Sequence, residues 1–182
     1  MNKFIIVRHG ETNENLDAIM QGKMNTNLNK RGINQAKKAK EKLKNEQIDL
    51  IVSSPLNRAK DTALIISNDT IPVIFDDRLM SRDHGEFQGM SREKMHWKDY
   101  WNYRKNIKYK KAENVREVYK RAANVVKDLK EKYPNKTIAI VTHSGICRVL
   151  HFYFEGIPED GDFLRYKSTN CSIEKYITEE EK

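Results

Sequence analysis

Apolar and polar positions fall in blocks along the chain, and the blocks have two different periods. Short runs rich in β-branched residues recur at "KFIIVR" (3–8), "IDLIVSS" (48–54), "IPVIFD" (71–76) and "KTIAIVTHSG" (136–145). Each is the length of a buried strand. Between them lie helical patterns. "GINQAKKAKEKLKN" (32–45) is Lys-rich, and a second pattern runs through "LNRAKDTALIIS" with Pro55 suited to its first turn. Residues 113–132 set Val115, Val118, Ala122, Val125, Val126 and Leu129 on one side, and "GICRVLHFYF" follows the fourth strand. "CSIEKYI" (171–177) alternates like a last, more exposed strand. Strands alternating with helices predict an α/β fold with a largely parallel central sheet covered on both faces. With no repeat and no Pro/Gly/Ser hinge, the chain reads as a single domain, 1–182, carrying a short insertion at about 91–111.

Chemistry in such sheets gathers at the carboxyl ends of the strands. The first strand ends in Arg8 and His9, and the second places Arg58 in the first turn of the helix after it. The fourth ends in Thr142, His143, Ser144 and Gly145. Taken singly, a strand-end histidine is a polar cap and a helix-turn arginine points to solvent. Together, two histidines and two arginines at one edge suit phosphoryl transfer. Guanidinium forks hold phosphate oxygens and stay charged, a neutral imidazole is a nucleophile, and a second histidine donates to the transferred oxygens. Backbone N–H groups at the helix start after Gly145 add an anion site. No metal is expected: the sequence has no carboxylate cluster, and the arginines oppose a cation held by His9 and His143.

Charge changes the picture locally. Of a net +8, the segment 92–111 ("REKMHWKDYWNYRKNIKYKK") carries +6. Its Trp97, Tyr100, Trp101, Tyr103 and Tyr109 interleave with Lys98, Arg104, Lys105 and Lys108. This reads either as a lid offering rings and positive charge to a polyanion, or as a helix with Trp97, Tyr100, Trp101 and Arg104 on one packed face. A nucleic-acid partner for the patch is the reading set aside in favour of a small phosphorylated metabolite. No apolar stretch approaches the ~20 residues that span a bilayer, and no signal-peptide core is present, so a cytoplasmic protein without a membrane partner is expected. Cys147 and Cys171 have no metal-ligand spacing and read as small buried residues.

These motifs resemble, in order, those of the histidine phosphatase superfamily, the branch that contains the cofactor-dependent phosphoglycerate mutases. "VRHGET" resembles the signature around a phosphorylated histidine, with Asn15 at a phosphate-contacting position. "QGKMNTNLNKRGINQA" (21–36) matches the next segment at Gly22, Leu28, Gly32 and Gln35-Ala36. "SSPLNRAKDTA" carries Arg58, "VTHSGICR" the second histidine, and "NCSI" the last strand. The resemblance implies a three-layer α/β/α sandwich in which His9 is the nucleophile. It implies that Arg8, Arg58 and His143 complete the phosphate pocket, and it calls for no cofactor. One position departs. The glutamate that serves most relatives as general acid falls, in "LMSRDHGEFQG" (79–89), at Ser81. Asp83, Glu86, His84 and Glu113 are the substitutes at hand. Otherwise the substrate has a good leaving group, or the chain is a weakly active or inactive phospho-ligand binder. The short insertion, and Glu14 where mutases carry tryptophan, favour a phosphatase over a mutase-type phosphotransferase. A monomer or homodimer is expected.

Overall fold

The computed structural model describes residues 1–178. The apolar runs become β1 (Asn2–Arg8), β2 (Leu50–Ser53), β3 (Val73–Phe75), β4 (Thr137–Thr142) and β5 (Ile173–Thr178), in the spatial order β3-β2-β4-β1-β5. The first four pair in parallel, and β5 runs antiparallel along β1. Because side chains alternate across a strand, each strand feeds two cores. Phe4, Ile6, Val52, Ile138 and Ile140 pack on one face with apolar residues of α5 (Val115–Lys132) and α6 (Ser144–Glu155). Ile5, Val7, Ile51, Ala139 and Val141 pack on the other with α2 (Lys30–Leu43) and α3 (Asn57–Ser67). The result is a three-layer α/β/α sandwich. Strands buried on both faces read as continuous apolar runs, as β1 and β4 do. Among the described residues no helix is long and apolar enough to cross a membrane, and Cys147 and Cys171 are free thiols.

The helix ends show how the site is assembled. α5 is closed by its own capping box, the Asn114 side chain accepting from the Glu117 N–H while the Glu117 carboxylate accepts from the Asn114 N–H. α3 has no cap of its own. Its first N–H groups donate instead to Asn25 Oδ1 (2.8 Å) and to the Thr26 carbonyl (3.2 Å), which fastens the loop 21–26 to the start of the helix. These partners set the first turn at Asn57, so Pro55 lies in the turn ahead of α3 rather than inside it. α1 (Asn13–Leu16) is a single turn capped by Thr12.

The insertion departs from the expected helix. Only α4 (Trp97–Tyr100) forms, because the chain then folds back onto the segment 159–163. The Asn102 side chain donates to the Asp160 carbonyl (3.0 Å), and the Tyr103 N–H donates to the Gly161 carbonyl (2.8 Å). Trp97, Tyr100 and Trp101 pack edge to face, whereas exposed Arg104 turns away and donates to the Glu159 carbonyl.

Candidate active site

β1 delivers Arg8 and His9 to the carboxyl edge and is held there on all sides. The His9 N–H donates to the Thr142 carbonyl (2.8 Å), the Asn170 amide donates to the His9 carbonyl (3.0 Å), and the Gly10 N–H donates to Thr62 Oγ1 (3.0 Å). The His9 ring is oriented by its Nδ1, 2.6 Å from the Gly10 carbonyl. A carbonyl only accepts, so Nδ1 carries the hydrogen and Nε2 keeps its lone pair. The His143 ring lies 5.2 Å away, centroid to centroid. Its Nε2 is 2.8 Å from Ser54 Oγ, which leaves Nδ1 with no partner in the protein. Burial, reinforced by the Arg58 charge, pushes both imidazoles well below the usual histidine range. At neutral pH both are uncharged.

The two motif arginines are fixed in the same manner. Arg58 is 1% exposed and gives Nη1 to the carbonyl of Met24 (2.7 Å) and Nη2 to that of Gly22 (2.8 Å). Arg8 gives Nη1 to the Ser168 carbonyl (2.7 Å). In each, Nε is buried without a partner. Burial lowers both guanidinium values, that of Arg58 to about 10, yet both remain charged at neutral pH.

These groups share one narrow cavity of about 60 Å³. Arg8, His9, Arg58 and His143 line it, as do Asn15, Gly22, Ser144 and Gly145, so every motif residue expected at a phosphate site reaches a common space. Asn15 Oδ1 is held by the Thr12 N–H and the Asn170 amide. The start of α6, His143 through Gly145, has no side-chain cap and lines this wall, so its first N–H groups are left without helical partners there. Trp101 covers that helix end so closely that a Cβ at Gly145 would stand 2.7 Å from its ring.

The candidate acids divide. Ser81 and His84 line the cavity, but Asp83, Glu86 and Glu113 do not. Asp83 faces Lys23 at 3.5 Å, Glu86 faces Lys110 at 3.8 Å, and Glu113 pairs with Arg121 at 2.7 Å while accepting from the Asp83 N–H. Asp83 and Glu86 thus face exposed lysines, and Glu113 is tied into a mostly buried pair with Arg121. His84 is buried, with Nδ1 2.7 Å from the Tyr100 hydroxyl. Burial and the charges of Arg82 and Arg92 depress its value to about 3, so it too is neutral. The insertion also differs from expectation. Trp97 and Trp101 line the cavity, but its lysines do not: Lys105 pairs with Asp99 and Lys108 with Glu117.

Three cavity arginines carry no signal of their own in the sequence: Arg82, Arg92 and Arg148. Arg148 ends the segment "VTHSGICR", and Arg82 directly follows Ser81. Arg82 is fully buried, its guanidinium 3.4 Å from the Tyr100 ring centroid. With Arg82 Nη2 and Trp101 Nε1 added to Arg8 Nε, Arg58 Nε and His143 Nδ1, five buried side-chain nitrogens around this cavity lack a partner within the protein. Buried polar groups are nearly always hydrogen-bonded, so donors left without a protein partner on one cavity are groups that an anion placed there could satisfy.

Comparison with known proteins agrees with this geometry. A model of the histidine phosphatase superfamily (branch 1) matches residues 4–182. Phosphoserine phosphatase 1 of Hydrogenobacter thermophilus is 30% identical over 97% of this chain and 85% of its own length. The uncharacterized phosphatase PhoE of Bacillus subtilis is 36% identical over 82% of this chain and 76% of its own. Among solved structures, a mycobacterial glucosyl-3-phosphoglycerate phosphatase complexed with VO3 superposes with a TM-score of 0.86 at 26% identity. The match covers 96% of this chain and 92% of that one.

Proposed function

Since the chain belongs to the histidine phosphatase superfamily and is a phosphatase of that group, we propose that it hydrolyses small phosphorylated metabolites through a phosphohistidine on His9. The observation that carries this reading is the set of unpartnered donors on the residues that line one cavity with His9, whose Nδ1 is held by the Gly10 carbonyl and whose Nε2 keeps its lone pair. The Nε2 lone pair attacks phosphorus, and the phosphorus–oxygen bond to the leaving group breaks. Arg8, Arg58, His143 Nδ1 and the N–H groups at the start of α6 hold the three non-bridging oxygens. These donors are already in place, so little reorganisation accompanies the build-up of charge. Water then displaces the phosphoryl group from His9, giving inorganic phosphate and restoring the neutral ring. The depressed value of His9 serves this role by keeping the nucleophile unprotonated.

Relatives named as phosphoserine and glucosyl-3-phosphoglycerate phosphatases support a small phosphorylated substrate. The test is hydrolysis of p-nitrophenyl phosphate with EDTA present. Turnover is expected, with a transient mass increase of one phosphoryl group on the peptide containing His9, and both are expected to vanish in His9→Ala. Turnover that survives in His9→Ala would overturn the reading. Release of phosphate to water, rather than its return to a phosphoglycerate acceptor, separates the phosphatase from a mutase.

A further inference from the structure

The cavity wall has an unusual composition for a site that must expel an alkoxide. Among the described residues that line it there are five arginines and three histidines but no aspartate or glutamate. Glu14, whose charge Arg58 senses, is not part of the wall. Ser81 occupies the acid's place in the segment, and a serine hydroxyl gives up no proton near neutral pH. Beside it, Arg82, which lines the cavity, spends Nε on the Glu113 carbonyl (2.9 Å) and Nη1 on the Tyr100 carbonyl (2.7 Å), leaving Nη2 buried without a partner. The rings of Tyr100 and Trp101, at 3.4 and 4.8 Å, lock the guanidinium plane. Arg148 gives Nε to the Tyr166 carbonyl (3.2 Å) and lies 4.8 Å from the Trp101 ring, while Arg92 stands over Trp97. A neighbouring hollow of about 320 Å³ shares Arg8, Arg92, Trp97, Ser144 and Arg148 with the cavity and adds Lys167. Space and positive charge for a second anionic group thus adjoin the phosphate pocket.

We propose that the substrates of this site are activated phosphates whose leaving group departs as a weakly basic oxyanion, received by Arg82, Arg92 and Arg148 instead of being protonated by an acid. The class comprises phosphoanhydrides, which release a phosphate, and acyl phosphates, which release a carboxylate. The proposal rests on the phosphatase reading above. In the step, the bond from His9 Nε2 to phosphorus forms as the bridging oxygen leaves with its electron pair. That oxygen is stable as an anion, so no proton is transferred to it. In the second step water supplies its oxygen and both hydrogens to the released dihydrogen phosphate, and the imidazole returns to its neutral form. Guanidinium groups suit this task because they stay charged and offer several donors in a fixed plane.

The test is the dependence of kcat/KM on leaving-group acidity across a series of aryl phosphates, with phosphoserine, acetyl phosphate and tripolyphosphate added. A steep dependence is expected. Phosphoserine should be slower than acetyl phosphate by at least the ~10²–10⁴-fold that general acid help contributes. Ser81→Glu should flatten the series and accelerate phosphoserine by about 10²-fold or more. Acetyl phosphate and tripolyphosphate decide whether a carboxylate or a phosphate is the preferred leaving group. Arg92→Gln, at an exposed side chain, should lower kcat/KM for these two more than for p-nitrophenyl phosphate. A flat series in the native protein, or a series that steepens in His84→Gln, would show a working proton donor and overturn the proposal while the phosphatase reading stands. Absence of turnover and of phosphohistidine on every substrate would sink both.

Discussion

Arg58 holds a loop and serves a ligand with the same guanidinium, and that double duty makes it the most informative single residue. Its Nη atoms bind the carbonyls of Met24 and Gly22 and the Thr26 hydroxyl, so Nε and one hydrogen of Nη2 remain to serve a phosphoryl oxygen. Arg58→Lys keeps the charge and loses the fork. We expect kcat to fall ~10²–10³-fold, the usual cost of removing one transition-state donor, and proteolysis at 22–26 to increase as the loop comes loose. Arg58→Gln tests the electrostatics separately. Arg58 is the largest charge among the causes that depress His9, after burial itself. Removing it should raise the His9 value and move the acid limb of the kcat/KM profile to higher pH, an effect readable by titrating the His9 ring with NMR. Arg8, His9, Arg58 and His143 were legible in the sequence because strand ends and a helix start place them at one edge. Arg82 and Arg92 were not. Residues 80–92 follow turns with no period, so which side chain faces inward depends on partners such as Glu113 and Tyr100 that lie far along the chain. The same turns carry Asp83 and Glu86 outward to lysines, which composition alone could not reveal.

At the scale of elements, three glycines mark where backbone or ring must approach closely. The exit of β1 passes α2 so tightly that a Cβ at Gly32 would sit 2.1 Å from the Glu11 carbonyl oxygen, and one at Gly10 would sit 2.4 Å from the Gly32 carbonyl oxygen. Both obstacles are backbone, so the elements themselves must shift. Gly32→Ala should destabilise the fold by about 1–3 kcal/mol, the scale of overpacking, as a lower urea midpoint at unchanged slope. Gly145→Ala meets only the ring of Trp101. Here the indole yields into the cavity, and activity should fall far more than stability, up to ~10²-fold for a shift of about 1 Å in the site. The sheet and its covering helices were legible because burial on two faces writes continuous apolar runs and α5 writes a clean helical stripe. The insertion misled for the opposite reason. Its aromatic spacing has a helical period, but the bonds from the Asn102 side chain to Asp160 and from the Tyr103 N–H to Gly161 stop the helix after one turn.

For the whole molecule, the charge that matters is the buried share of it. Five arginines converge on one cavity, and burial lowers Arg58, Arg82 and Arg148 to about 10, so an anion bound among them is expected to favour their charged forms and to stabilise the fold. Inorganic phosphate at 100 times its Kd should add about 2.7 kcal/mol of stability, with sulfate giving less at equal ionic strength if the site is selective for phosphate. The buried histidines make a second claim about the entire fold. His9, His84 and His143 are neutral when folded, but each takes up a proton near pH 6.5 when unfolded. Below that pH the unfolded chain binds more protons than the folded one, so stability rises with pH across this window. The contribution is complete above about pH 6.5 and is lost as the pH falls, for His84 down to about 3. Three such groups give a slope of up to roughly 4 kcal/mol per pH unit between pH 6 and 5. Urea unfolding over that interval measures it, and His84→Gln should remove about one third of the slope while leaving the His9 and His143 shares intact. A stability that stays flat from pH 7 to 5 would mean that these rings titrate in the folded protein as they do in the unfolded chain, and that burial does not hold His9 unprotonated below about pH 6.5.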